Sequence, residues 1–282
     1  MARGGEDAIA SLGCGDLIGG AGHRLMGIGA AISVLWAFSL LAASCHGGQP
    51  KRVPREVALQ RLQKLGLDFS QNSFVKTAIK GDVDELGLYL DAGVDPNGED
   101  DKGTTALYAA ASAGNDEAIR FLIARGAAPK RRARSNEGEP VRIGWTPLGV
   151  ATVTASAGTV KTLLECGADP NELDGLGDPP AWYAVAPEAN DQSYLARLRY
   201  TKPNVECLRV LLDAGADVNA RGNNGDTLLV RAVAKSGPET VALLVEKGAN
   251  VNLTGEDGKS PKQRAEERGD TNIMALLKKA GA

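Results

Sequence analysis

The residues that could do chemistry are few, and they are poorly placed for it. The chain holds two histidines, His23 and His46, and four cysteines, Cys14, Cys45, Cys166 and Cys207. Both histidines precede residue 47, so a general base, a Ser-His-Asp relay or a zinc site has no imidazole anywhere beyond it. No two cysteines have metal-ligand spacing. Cys166 and Cys207 read as small buried residues, with a disulfide or a reactive thiol as the alternatives. Gly19, Gly20, Gly22, Gly27 and Gly29 lack a preceding strand and a following Lys-Ser/Thr, so they make no phosphate loop. No arrangement of carboxylates or lysines argues for catalysis, and no cofactor is expected.

The chemistry that remains is recognition. Lys130, Arg131, Arg132 and Arg134 form a basic run, tempered by Glu137 and Glu139. It is either a solvated loop or a contact for an acidic partner surface or lipid headgroups. Tyr194, Arg197, Arg199, Tyr200 and Lys202 form a second cluster, and Trp145, Trp182 and Tyr183 supply aromatic anchors. Tyr, Trp and Arg are common at the centres of interfaces. The expected partner-binding residues are Trp145, Tyr183, Arg132, Arg134, Tyr194, Arg199 and Tyr200.

The elements that must position these residues repeat. Leu163-Leu164-Glu165-Cys166-Gly167-Ala168-Asp169-Pro170-Asn171 returns as Leu211-Leu212-Asp213-Ala214-Gly215-Ala216-Asp217-Val218-Asn219, and more loosely four times elsewhere. The key glycines, Gly93, Gly126, Gly167, Gly215, Gly248 and Gly281, are spaced 33, 41, 48, 33 and 33 residues apart. Apolar residues stand 7, 4 and 3 positions before the first five of them, as in Val160, Leu163 and Leu164, which is one helix face. Glycine supplies the left-handed conformation that stops each helix, and the following Asp and Asn are expected to bond their own backbone and turn the chain.

Each unit opens on a motif of its own. Gly144-Trp145-Thr146-Pro147-Leu148 is the clearest, with Thr to cap a helix and Pro to fit its first turn. Gly103-Thr104-Thr105-Ala106-Leu107-Tyr108 and Gly225-Asp226-Thr227-Leu228-Leu229 vary it, and Gly177-Asp178-Pro179-Pro180-Ala181-Trp182 is degenerate. A period near 33 with a Thr-Pro-Leu opening resembles ankyrin repeats. The resemblance covers about residues 69–282. It implies an all-α repeat solenoid of about six helix pairs with connecting loops or hairpins, a curved stack whose concave face is lined by the first helices and projections. Pro54–Leu65 reads as an N-terminal capping helix ended by Gly66, and Lys262 and Gln263 in the last opening suit a polar C-terminal cap. The longer spacings place insertions near 131–143 and 186–204.

Residues 1–45 read as a targeting segment. Arg24 precedes an uncharged run, Met26 to Ser44, which ends in small residues and Cys45. Leu41-Ala42-Ala43-Ser44-Cys45 resembles a bacterial lipobox, whose cysteine is lipidated, although the family prefers Leu where Ala42 stands. An ordinary cleaved signal is one alternative. An uncleaved anchor is another, since the run would span about 28 Å as a helix against a bilayer core of roughly 30 Å. Residues 46–53 follow as a linker, 54–66 as the cap and 67–282 as the repeat domain.

The chain is 43% hydrophobic but only 4% aromatic, as closely stacked short helices require, and its net charge of −3 does not suggest a nucleic-acid binder. The reading is an exported, monomeric, non-catalytic protein-binding scaffold held at a membrane of the bacterial cell envelope, facing the periplasm. A structural or self-associating spacer is the first alternative, and an enzyme built on the insertions is a remote one. The partner is expected on repeats two to four, where both insertions and the aromatic residues converge.

Overall fold

The structure, a computed structural model, describes residues 51–134, 144–154, 156–186 and 204–281. Thirteen helices form among these residues: α1 (Arg55–Lys64), α2 (Gln71–Lys80), α3 (Val83–Ala92), α4 (Ala106–Ala113), α5 (Asp116–Ala124), α6 (Pro147–Thr154), α7 (Ala157–Glu165), α8 (Pro180–Val185), α9 (Val205–Asp213), α10 (Leu228–Lys235), α11 (Pro238–Glu246), α12 (Pro261–Arg268) and α13 (Thr271–Lys279). After α1 they make six pairs. First helices stack in one row, α2 on α4 and so on to α12, and second helices stack in another, α3 on α5 and so on to α13. No strand occurs among the described residues; two isolated antiparallel bridges, Glu99 with Thr105 and Arg221 with Thr227, close hairpin-like tips between pairs. The solenoid of helix pairs is therefore as the repeat predicts.

Local chemistry explains the boundaries. Thr105, Thr146 and Thr227 each accept from the backbone N–H three residues on, at 3.2, 3.0 and 3.2 Å. Ser260 and Gln263 form a reciprocal capping box at the start of α12. The apolar stripe is the core: Leu86, Tyr89, Ile119, Leu122, Val160, Leu163, Leu208, Leu211, Val241 and Leu244 are all fully buried. Burying each such aliphatic side chain is worth about 1.5–3 kcal/mol.

α1 covers the second helix of the first pair. Ala58 and Leu62 are its buried residues. Val53 N–H donates to Asp91 Oδ2 at 2.8 Å, and Arg125 pairs with the other oxygen of the same carboxylate. Both charged side chains are at most 6% exposed, so the cap, the first pair and the second pair meet at one satisfied buried ion pair.

The turn residues behave differently from expectation in one respect. Asp95, Asp169 and Asp217 do bond their own backbone, accepting from the N–H two residues on. Asn250 does the same in the fifth turn, but Asn97, Asn171 and Asn219, two positions after the Asp, reach into the next repeat instead. Asn97 Oδ1 accepts from Ala128 N at 2.8 Å, and its Nδ2 donates to the Gly126 carbonyl at 2.9 Å. Asn219 Oδ1 accepts from Asn250 N at 2.8 Å. Each of these three asparagines thus satisfies a glycine carbonyl or an amide left over at the neighbouring helix end.

No helix among the described residues is long and apolar enough to cross a membrane. The run Met26–Ser44, Cys45 and the two histidines lie outside the described residues.

Candidate partner-binding surface

The three tips that lead into helix pairs two, three and four carry the candidate surface. Backbone bonds tie them together at the base of the first insertion. Arg134 N donates to the Gly103 carbonyl at 2.9 Å, and Gly175 N donates to the Gly144 carbonyl at 3.0 Å. Within the insertion's neck, Ala133 N donates to Trp145 O and Gly144 N to Ala133 O, both at 3.0 Å. These approaches require glycine. A Cβ on Gly103 would lie 2.0 Å from the Arg134 carbonyl oxygen and one on Gly144 2.5 Å from Gly175 Cα, and both glycines have positive φ. The neck of the second insertion is held as firmly: Asn204 N donates to Ala184 O at 2.9 Å, and Ser236 Oγ to Val185 O at 2.6 Å.

The basic run is at the surface but is largely paired. Arg131 meets Glu99 at 3.0 Å and Arg134 the same carboxylate at 3.6 Å. Arg132 meets Glu172 at 3.4 Å, while Lys130 lies 3.8 Å from Glu172 and 3.6 Å from Asp169. Three carboxylates therefore offset four cations across three successive tips. The four cations and Glu99 line an open groove of about 590 Å³, together with Gly144 and Gly175. Flanking Gly175, Leu173 and Leu176 are 46% and 43% exposed, two of the five large apolar side chains exposed among the described residues.

Trp145 and Tyr183 are not on the solvent-facing side that the sequence suggested. Each is only 3% exposed. Their rings pack on each other, with centroids 4.9 Å apart and planes tilted by 55°. The Tyr183 hydroxyl donates to Asp174 and lies 3.4 Å from Asp178, two carboxylates that are themselves buried. Asp174 also accepts from Leu176 N at 2.8 Å and Asp178 N at 3.0 Å, which fixes the tip. The two rings are held by each other and by the tip that precedes α8. α8 has six residues, all buried, where α6 and α10 have eight. The second insertion follows Val185, at the opposite end of α8 from the Asp174–Asp178 tip that the Tyr183 hydroxyl contacts.

Arg231 is also buried. In sequence it resembles a singly exposed charge, yet it is 4% exposed. Its guanidinium carbon lies 4.1 Å from the centroid of the Trp182 ring, and it donates to the Ala186 carbonyl. Arg264, at the equivalent place one repeat on, bonds Asp226 and Asp257 at 3.0 Å each. Sequence reasoning missed these buried polar links and the Asp174–Tyr183–Asp178 cluster; the only signal was Asp at matching places in successive tips, Asp178 and Asp226.

Tyr194, Arg199 and Tyr200 lie outside the described residues, as do Arg197 and Lys202. Cys207 is buried, as expected, and burial pushes its thiol up to about 12. Cys166, also a thiol, is half-buried rather than core. Among the described residues no cluster of three His, Cys, Asp or Glu could hold a metal ion.

Comparison with known proteins agrees with this geometry. The sequence matches the family described as ankyrin repeats (3 copies) over residues 74–174 and 195–282. An ankyrin repeat-containing protein of Treponema pallidum is 30% identical over 185 residues, 66% of this chain and 42% of that protein. Human ankyrin repeat and SOCS box protein 6 is 31% identical over 56% of this chain and 34% of its own length. Zebrafish (Danio rerio) neurogenic locus notch homolog protein 1 is 32% identical over 50% of this chain, but only 5% of that protein is matched. The chain thus spans less than half the length of these relatives. A crystal structure of an ankyrin repeat domain from Acinetobacter baumannii superposes with a TM-score of 0.62 at 28% identity, covering 76% of this chain and all of that one.

Proposed function

The chain belongs to the ankyrin-repeat family, and from its surface we infer a non-catalytic scaffold that captures another protein on the tips of repeats two to four. The observation that carries this is the tip ladder. Backbone bonds from Arg134 to Gly103 and from Gly175 to Gly144 fix three neighbouring tips as one rigid platform. On that platform Leu173 and Leu176 stand exposed beside a charged groove. A preorganised surface loses little entropy on binding, and a partly neutralised charge cluster sets orientation more than affinity.

The scaffold acts at the bacterial cell envelope as a monomer, held at a membrane by lipid on Cys45. Support comes from Arg24, the uncharged run Met26–Ser44 and the small residues before Cys45. Mass spectrometry of the protein recovered from membranes tests this part: a mature chain that begins with a diacylated Cys45 supports it, and an intact Met1 or an unmodified Cys45 overturns it. In-cell crosslinking from Leu176, followed by identification of the adduct, tests the capture surface. A single recurrent protein adduct is expected, and none from Leu253, a control site at the tip leading into the last repeat.

A further inference from the structure

We propose that the N-terminal end of the array is a docking surface for anionic lipid. Residues 51–80 carry seven Lys and Arg against two Asp and Glu, whereas residues 81–282 carry twenty-three against thirty. A chain with a net charge of −3 therefore has a strongly basic end and an acidic body. The end is also apolar where it is exposed. Leu65, Phe69 and Ile79 are 56%, 44% and 53% exposed, and these are the other three of the five large apolar side chains exposed among the described residues.

These groups sit on adjoining elements. Lys64 and Leu65 close α1, Phe69 lies in the connection to α2, and Lys76, Ile79 and Lys80 share one exposed face of α2 at i, i+3 and i+4. Lys64, Lys76 and Lys80 have no ion-pair partner among the described residues, in contrast to the paired run at 130–134. Helix dipoles would account for Lys64 and Lys80 in last turns. They account neither for Lys76 nor for three large apolar side chains left in water. α2 packs on α3 and α4, and as the first helix of its row it has no preceding first helix to cover it among the described residues.

Cations interleaved with exposed aliphatic and aromatic groups suit a bilayer interface, where headgroups meet the charges and the apolar groups enter the acyl boundary. A nucleic acid would use the charges and leave Leu65, Phe69 and Ile79 exposed. The patch also begins at Lys51, seven residues after the uncharged run ends at Ser44. The inference goes beyond lipidation and holds whether or not Cys45 is modified.

The test uses the purified full chain and flotation with vesicles of phosphatidylcholine alone or with about a third phosphatidylglycerol. An anchor in residues 1–45 binds both, so it cancels in the ratio of the two partition coefficients. We expect a preference for anionic vesicles of at least about tenfold at low salt, falling steeply as salt is added. The K64E/K76E/K80E variant should show no preference, and L65S/F69S/I79S should keep some preference but lose most of the binding that survives high salt. All six side chains are exposed, so circular dichroism should be unchanged. A wild-type ratio near one, the same ratio in the charge-reversed variant, or duplex DNA binding that the apolar variant leaves intact while vesicles show no preference, overturns the proposal. Cys45→Ser should alter retention on both vesicle types without changing the ratio, so failure of the anchor and failure of this surface are distinguishable.

Discussion

Asn171 holds repeat four from the end of repeat three: its Nδ2 donates to the Gly215 carbonyl at 3.0 Å while its Oδ1 accepts from Asp217 N at 2.8 Å. Asn97 makes the same two bonds from repeat one to repeat two. At the junction between repeats two and three, where the first insertion enters, the equivalent residue is Lys130, which offers only long ion pairs to Asp169 and Glu172. The array is therefore clamped unevenly, and one turn-to-turn link without an asparagine clamp lies beside the candidate surface.

Asn171→Ala should cost about 1–2 kcal/mol, the net worth of two exposed hydrogen bonds to backbone. Lys130→Asn should do the reverse. It gives up surface ion pairs worth little and installs the clamp, for a gain of about 0.5–1 kcal/mol. Urea unfolding of both variants checks this. A Lys130→Asn protein less stable than wild type would show that the ion pairs, not the missing asparagine, govern that junction.

Arg231→Met keeps the length of the side chain and removes its charge and donors. The Ala186 carbonyl then loses its buried partner and Trp182 its stacked cation. A loss of about 2 kcal/mol is expected, with a change in tryptophan emission since the Trp182 ring is in direct contact. An unchanged urea midpoint would mean that the desolvation of Arg231 cancels what its contacts contribute.

The Cys207 thiol should be inert to alkylation in the native protein at pH 8, and Cys166 should react, as peptide mapping after labelling would show. The pH dependence has a definite sign. Burial raises the folded-state value of Cys207 from 9.0 to about 12, so the unfolded chain deprotonates first. Its contribution is full below pH 9 and is lost between pH 9 and about 12, on the order of 1 kcal/mol by pH 10. Cys207→Ala should flatten that part of the stability profile.

The fold was legible because its signals are local. A glycine at a helix end, an apolar stripe one turn before it and a capping Thr each act over a few residues. The surface was less so, because its determinants act across repeats. Nothing near Arg132 in sequence says that Glu172, 40 residues away, neutralises it, or that Glu99, 32 residues before Arg131, does the same there. Trp145 and Tyr183 were misplaced for a related reason. They were expected on the concave side from their places in the repeat openings, and the partners that bury them, each other and Asp174 and Asp178, come from two different openings. The unpaired cations at Lys64, Lys76 and Lys80 escaped notice because they are spread over two helices rather than run together.

That misplacement changes which substitutions test partner capture. Trp145→Ala and Tyr183→Ala would open cavities in the core of repeats three and four and cost about 3–5 kcal/mol each, so loss of binding by them would report unfolding. Leu173→Ser and Leu176→Ser remove exposed side chains and should leave thermal unfolding within about 0.5 kcal/mol of wild type. If the tips of repeats two to four are the contact, the Leu173→Ser/Leu176→Ser protein should lose capture of the crosslinked partner by about tenfold or more, since apolar anchors at an interface centre are each worth on the order of 1–2 kcal/mol. Arg132→Ala with Arg134→Ala should act more weakly and chiefly on the association rate, because both side chains are rim-like, at 44% and 76% exposure, and already share carboxylates with the scaffold. Surface plasmon resonance with the identified partner separates the two effects. Full-strength binding by the leucine variant, with its fold intact, would move the contact off these tips.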